Sequence, residues 1–191
     1  MEKRLQDLTK HEWDTLFPIE LVAHDPNWKV LFEKERQLIN EKVGDKFIAI
    51  EHVGSTSIPN IKAKPYIDIS IEIPFEHLFN EEIITALESL NYHYFRQSSK
   101  TADYMVSVKG YHLNGLKEQI FHIHMCPPEH EILNQILFRD YLIAHPERAR
   151  AYELLKTTLA VQFRNDRSGF RMAKDEFMAE TMAMIKEQTG S

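Results

Sequence analysis

Two short stretches of the sequence hold residue types from which a phosphate and metal site can be built. In IEHVGSTSIPN, a strand-like run ends in Gly54, Ser55 and Thr56. A strand running into a Gly-Ser turn can present bare backbone N–H groups and a hydroxyl to a phosphate. The next run, PYIDISIEIP, places Asp68 on the polar face of a strand, with Ser70 and Glu72 further along that face. A carboxylate there can hold a divalent metal that bridges phosphate oxygens; the plain alternative is a glycine turn beside a solvated aspartate. The second stretch is QIFHIHMCP. Strand geometry puts His122 and His124 on one face, about 7 Å apart at the backbone. That spacing suits two ligands of one metal or two donors to one phosphate, although such a pair can also be structural, hydrogen-bonded to carboxylates. Cys126 follows closely and is read as a buried thiol acting as a small hydrophobe rather than a soft ligand.

Cations that could meet an anion lie on either side of these runs. Lys64 precedes the aspartate strand. From Arg139 to Lys174 the chain carries eight cations, Arg139, Arg148, Arg150, Lys156, Arg164, Arg167, Arg171 and Lys174, against four anions. Arg139, Lys156 and Lys174 are the anion-binding candidates. The competing reading is a solvated helical surface with internal ion pairs, of which Arg139–Asp140 is one. Glu51 and His52 stand at a strand end beside Gly54, so one of them is expected to face the cleft.

The elements that must position these groups can be read from periodicity. Asp25 as N-cap and Pro26 at the first helical position start a helix with Trp28, Leu31, Phe32 and Leu38 on its apolar face, ending at Gly44. Strands are expected at Lys46–Val53 and in PYIDISIEIP, where Ile67, Ile69, Ile71 and Ile73 form a face that must be buried. A helix follows over roughly Phe75–Leu90. Further strands are expected near Tyr92–Phe95, Asp103–Val108 and Gln119–Met125, the first two as a hairpin. From Glu129 onward the pattern predicts three helices with faces at Ile132/Leu133/Ile136/Leu137, Tyr152/Leu155/Leu159/Phe163 and Phe170/Ala173/Phe177/Met184. Mixed strands and helices followed by helices alone imply an α+β mixed sheet under a helical layer. Residues 1–17 read as an N-terminal extension and 18–191 as one domain.

Composition narrows the function classes. A net charge of −6 over 191 residues argues against a broad nucleic-acid surface. One cysteine excludes an intrachain disulfide framework. The charged N-terminal run lacks the apolar stretch of a signal peptide, and no segment approaches the ~18 apolar residues of a membrane span. A cytoplasmic protein is expected, its oligomeric state left open.

The blocks IELVAHDPNWKVLFEKE, IEHVGSTSIPNIKAKPYIDI, FHIHMCPP, LFRDYLIAHPERARAYELLK and FRNDRSGFRMAKDEF, taken in order, resemble the GrpB-like (glutamate-rich protein B) family of the nucleotidyltransferase superfamily, over roughly Ile19 to Met184. The resemblance implies a DNA polymerase β-like core with Gly54-Ser55 at the mouth of the site, Asp68 as a metal-binding carboxylate and a C-terminal helical layer over a nucleotide cleft. Active members of that superfamily usually carry a second carboxylate two residues after the first, and this chain has Ser70 there. Glu72 lies further along the strand, and His122 or His124 stands where a third carboxylate is expected. Such a set suits one ion, Mg²⁺ or Mn²⁺ or a transition metal. The expected function is nucleotidyl transfer from an NTP to a small acceptor, with Asp68 and Glu72 as catalytic carboxylates, Asp68, His122 and His124 as metal ligands, and Gly54, Ser55, Thr56, Lys64, Arg139, Lys156 and Lys174 on the phosphates. The alternatives are a non-catalytic nucleotide- or metabolite-binding module and a metal-dependent phosphoester hydrolase. The hydrolase class built on two His-x-Ser/Thr pairs is disfavoured, because His122-Ile123-His124 supplies neither pair.

Overall fold

The computed structural model describes residues 3–99 and 102–190. A 3-10 turn at Leu5–Asp7 leads to helix α1 (Lys10–Leu16), whose start is fixed by reciprocal bonds between Thr9 and Glu12. Helix α2 (Asn27–Val43) begins where Asp25 accepts the Asn27 amide at 2.9 Å. It buries Trp28, Phe32, Ile39 and Val43 on one face. Strands β1 (Ala49–Val53) and β2 (Tyr66–Glu72) follow, separated by a 3-10 turn at Ser55–Ser57. Helix α3 is shorter than its pattern implies, Glu81–Glu88. A 3-10 turn takes Phe75–His77, Phe79 adopts φ +63°, and Asn80 then caps the new start. Strands β3 (His93–Gln97), β4 (Tyr104–Tyr111) and β5 (Lys117–Cys126) complete the sheet.

The five strands are ordered β1-β2-β5-β4-β3. Only the central β2–β5 pair is parallel; the others are antiparallel, and β3–β4 is the expected hairpin. The fold is therefore a mixed α/β arrangement. One sheet face is apolar because the strands alternate: Ile67, Ile69, Ile71 and Ile73, each fully buried, join Phe121, Ile123 and Met125 beneath α2 and α3. Burying a face of this kind contributes about 25 cal/mol per Å² of apolar area. The same interior holds one polar knot, in which Glu35 of α2 accepts from Tyr92 at 2.9 Å and pairs with Lys109 of β4.

The opposite face is covered by α1 and by the C-terminal helices α4 (Asn134–Ala144), α5 (Pro146–Gln162), α6 (Arg167–Met172) and α7 (Asp175–Thr189). Two expectations fail here. The first helical face turns to bury Phe138 and Leu142, leaving Leu137 49% exposed. The last predicted helix is two helices, broken at Ala173–Lys174, so that Phe170 packs with Ile19 and Leu159 while Phe177 packs beside Tyr152. Among the described residues of α7, Thr181 and Ile185 are buried, and Met184 points outward. Among the described residues no helix is long and apolar enough to cross a membrane.

Candidate functional site

The parallel register between β2 and β5 sets Asp68 opposite His122 and Ser70 opposite His124. Side chains on neighbouring strands at matched positions emerge on the same face. One ligand atom from each of Asp68, His122 and His124 falls within 4.8 Å of the others. His122 Nδ1 lies 3.4 Å from Asp68 Oδ1, and its Nε2 is 2.8 Å from the Tyr111 hydroxyl. His124 Nδ1 and the Ser70 hydroxyl are buried with no hydrogen-bond partner in the protein.

Charges around the cluster are shifted in a consistent way. Burial would raise the Asp68 carboxyl, but its bond to His122 and the nearby His124 and Lys64 hold it below the usual carboxylate range. Burial pushes His124 down to about 4 and lowers His122, against the pull of Asp68. Both rings thus favour the neutral form that binds metals. Lys64 is pushed down to about 7 by burial and then by Arg167 and Lys174. Lys156 is brought to about 7 by burial and Lys174.

These groups open into one cavity of about 560 Å³ between the sheet and the C-terminal helices, within the range of small-molecule sites. Gly54 and Ser55 stand at its edge, and Lys64, Arg139, Lys156 and Lys174 reach its wall. Gly54 has φ +73° and ψ −176°, a conformation essentially confined to glycine, which lets the turn pass directly over Asp68. Lys156, 2% exposed, donates to the Lys62 carbonyl at 2.6 Å and sits over the Tyr152 ring. Arg139 is largely committed: it donates to Glu51 at 2.8 Å, to the His52 carbonyl at 2.7 Å and to Asp140 at 2.7 Å.

Two of the anticipated site residues lie elsewhere. The Thr56 hydroxyl turns inward, donating to the Tyr66 carbonyl at 2.9 Å and meeting His52 Nε2 at 3.0 Å; it is a brace beneath the turn, not a phosphate contact. Glu72 is four residues beyond Asp68, roughly 13 Å along the strand, and is not part of the cavity wall. Neither Glu51 nor His52 faces the cleft: Glu51 holds Arg139, and His52 stacks on Phe32 with ring centres 4.8 Å apart. Cys126, fully buried, has its thiol pushed up to about 12 by burial, as suits a packing residue.

Residues not singled out from the sequence also line the cavity, chiefly Arg167, Arg171 and Tyr104. Both arginines lie in the cation-rich 139–174 stretch, which was the available signal. Arg167 donates to the Phe17 carbonyl at 3.1 Å and to the Tyr111 hydroxyl at 3.2 Å.

Fold and site together define a mixed α/β protein with a two-histidine, one-carboxylate cluster at the floor of a cation-walled cavity. The chain belongs to the GrpB family, whose profile matches residues 18–184. It is 36% identical over 168 residues to glutamate-rich protein GrpB of Alkalihalophilus pseudofirmus, covering 85% of this chain and 92% of that protein. A UPF0157 protein of Pseudomonas aeruginosa is 35% identical over 164 residues, 86% of this chain. The chain spans 66% of that relative and 45% of the UPF0157 protein YqkA of Bacillus subtilis. Among solved structures, conserved protein GrpB from Enterococcus faecalis superposes with a TM-score of 0.77 at 25% identity, over 90% of this chain and all of that one.

Proposed function

We propose that this protein binds a nucleotide, or a similarly phosphorylated small molecule, together with one divalent metal, and transfers a nucleotidyl group to a small acceptor. The observation that carries this reading is the convergence of Asp68, His122 and His124 within 4.8 Å on the floor of a cavity walled by Lys64, Lys156, Arg167 and Lys174.

The donor set fits one ion. Two imidazoles and a carboxylate suit Mn²⁺ or a later transition ion better than Mg²⁺, which prefers oxygen ligands. Three protein ligands leave open positions, as catalytic sites do, and the partnerless His124 nitrogen is an available donor. Asp68, His122 and His124 would hold the ion, which when bound polarises phosphoryl oxygens. The rest falls to the chain. The Gly54-Ser55 turn offers backbone N–H groups and a hydroxyl at the cavity edge. Lys64, Lys156, Arg167 and Lys174 neutralise the phosphates and orient them, and positioning with charge neutralisation is most of what phosphoryl transfer asks of a protein. A nucleotidyltransferase-like core, with β1, the Gly-Ser turn and β2 as its strand–turn–strand element, belongs to this proposal.

A second reading has a specific observation in its favour. Ser70, 1% exposed, stands where two-metal enzymes of that superfamily need a second carboxylate. A chain that keeps the cleft and lacks that ligand can bind a nucleotide or metabolite without turnover.

The test is incubation of the full chain with labelled NTP, Mn²⁺ or Mg²⁺, and a panel of hydroxyl and phosphate acceptors. Pyrophosphate release abolished by Asp68→Asn supports transfer. Tight nucleotide binding with no turnover on any acceptor supports the binding module. Phosphoester hydrolysis without NTP, lost in His124→Ala, would make the protein a hydrolase.

A further inference from the structure

Residues 3–17 lie outside the family match, yet they pack against the candidate site. Trp13 and Phe17 close on the Tyr111 ring with centres 5.2 Å and 4.7 Å away, both edge to face. Asp14, 5% exposed, accepts the Arg167 amide at 2.9 Å, and the Phe17 carbonyl accepts from the Arg167 guanidinium. The other arm of that guanidinium donates to the Tyr111 hydroxyl. Tyr111 in turn contacts His122 Nε2 at 2.8 Å, with the two ring planes inclined by 29° and 5.7 Å between centres.

Strand alternation alone would not put Tyr111 there. Val108 and Tyr111 share a sheet face although they are three residues apart. The pairing of β4 with β5 slips between Lys109 and Tyr111, around Gly110 at φ +93°. A Cβ at Gly110 would come 2.3 Å from the Gln119 carbonyl oxygen. Irregularities of this kind re-aim a side chain beside a functional site.

We infer that Tyr111 is the positioning residue for His122, and that the N-terminal segment serves the site by clamping Tyr111 and Arg167 in place. The inference rests on the metal-site reading given above. A histidine that ligates a metal through one ring nitrogen is oriented by the partner of the other, and removing such a partner typically weakens metal affinity 10–100-fold. The Tyr111 hydroxyl can accept from or donate to Nε2, and Arg167 occupies one of its lone pairs. Trp13 and Phe17, packed edge to face on the ring, oppose its swinging away. None of these three aromatic residues is itself one of the proposed ligands, Asp68, His122 and His124.

The test uses the full chain and Co²⁺ alone, read by its visible d–d absorption and by titration. Wild type should bind with the spectrum of a nitrogen- and oxygen-ligated site, and His122→Ala should lose it. Tyr111→Phe keeps the ring and its packing, so the chain should stay folded by circular dichroism while Co²⁺ affinity falls about tenfold and the d–d bands shift. Trp13→Ala should weaken binding in the same direction and Trp13→Phe should restore it. The effects of Tyr111→Phe and Trp13→Ala should combine to less than their sum, as for residues acting through one contact. Wild-type affinity and an unaltered spectrum in both Tyr111→Phe and Trp13→Ala would overturn the inference while leaving the metal site standing. Failure of wild type to bind Co²⁺ at all would remove the metal reading and this inference together.

Discussion

Gly54 lies so close to Asp68 that a Cβ built on it would fall 2.3 Å from the carboxylate Oδ2. The glycine is therefore part of the wall that fixes the orientation of Asp68, as well as the residue that lets the turn form. Gly54→Ala should cost about 1–3 kcal/mol for the backbone conformation alone, with the collision added. The carboxylate must rotate to escape, so Co²⁺ or Mn²⁺ affinity should fall along with the melting temperature. Thermal melts and metal titration on the same variant check both. A variant that melts lower and binds metal as wild type does would show that Asp68 has another way to hold its place.

The crowded cations predict a proton signature for anion binding. Lys64 and Lys156 are both brought to about 7, so near neutral pH a fraction of each is uncharged. An anion arriving beside them favours the charged form. Binding of sulfate, which does not itself titrate near neutrality, should then take up protons above about pH 7 and should strengthen as pH falls toward 7. Calorimetry in two buffers of different ionisation enthalpy measures the uptake; equal heats in both buffers would contradict it. Without an anion the linkage runs the other way. Both lysines hold fewer protons folded than unfolded between about 7 and 10.5, so stability should rise with pH across that range. Lys156→Met should flatten the rise.

The apolar half of the fold was open to reading from the sequence, and the polar half only in part. The alternation from Ile67 to Ile73 announces a strand buried on one side, and the same pattern puts Asp68 on the other. That Asp68 meets His122 is a different kind of fact. It depends on parallel pairing between strands about fifty residues apart, and no local pattern encodes that register. Thr56 was misplaced because the turn in which it sits bends its hydroxyl back toward Tyr66 and His52. Tyr111 is not legible in the sequence as a site residue because the slip at Gly110 breaks the period-two rule by which strand faces are assigned. Leu137 and Met184 lie outside the buried faces because apolar residues at helical spacing admit more than one face. Tertiary packing chose Phe138 with Leu142 in one helix and Ile185 in the other.

His52 predicts an acid-side loss of stability. Burial in its stack on Phe32 pushes it down to about 4, well below the unfolded value near 6.5. A base with a depressed folded pKa stabilises the native state above the unfolded pKa. That contribution is lost as pH falls from about 6.5 toward 4, where the unfolded chain binds the proton first. His52→Gln should reduce the slope of stability against pH in that window. Urea melts at several pH values measure it, and an unchanged slope would assign the acid limb to other groups.

Ser70 offers a test of whether its hydroxyl is used. Its oxygen is buried without a protein partner, and an unsatisfied buried hydroxyl costs stability. Ser70→Ala should leave the ligand-free chain unchanged or up to about 1 kcal/mol more stable. If the hydroxyl instead contacts a ligand, the same change should weaken Mn²⁺ or nucleotide binding while the ligand-free melting temperature holds or rises. A loss of stability in the ligand-free chain would point to a bond to ordered water.

The buried knot on the far side of the sheet predicts that one ion pair is dispensable as a pair but not by halves. Glu35 is 4% exposed, and its carboxylate is met by Lys109 and by the Tyr92 hydroxyl. Lys109 also lies over the Tyr92 and Phe121 rings, 4.9 Å from each centre, so its stem and charge are both enclosed. Removing the cation alone, as in Lys109→Met, strands a carboxylate in an apolar interior, a change of about 3–5 kcal/mol. Removing both charges, as in Glu35→Gln with Lys109→Met, leaves a neutral amide still able to accept from Tyr92. Replacing a buried pair by neutral groups of similar volume is often close to neutral, so the double variant should recover most of what the single one loses. Denaturant melts of the two single variants and the double give the coupling directly. If the double variant is as unstable as Lys109→Met, packing of the lysine stem against Tyr92 and Phe121, and not the charge of Glu35, holds α2 to the sheet.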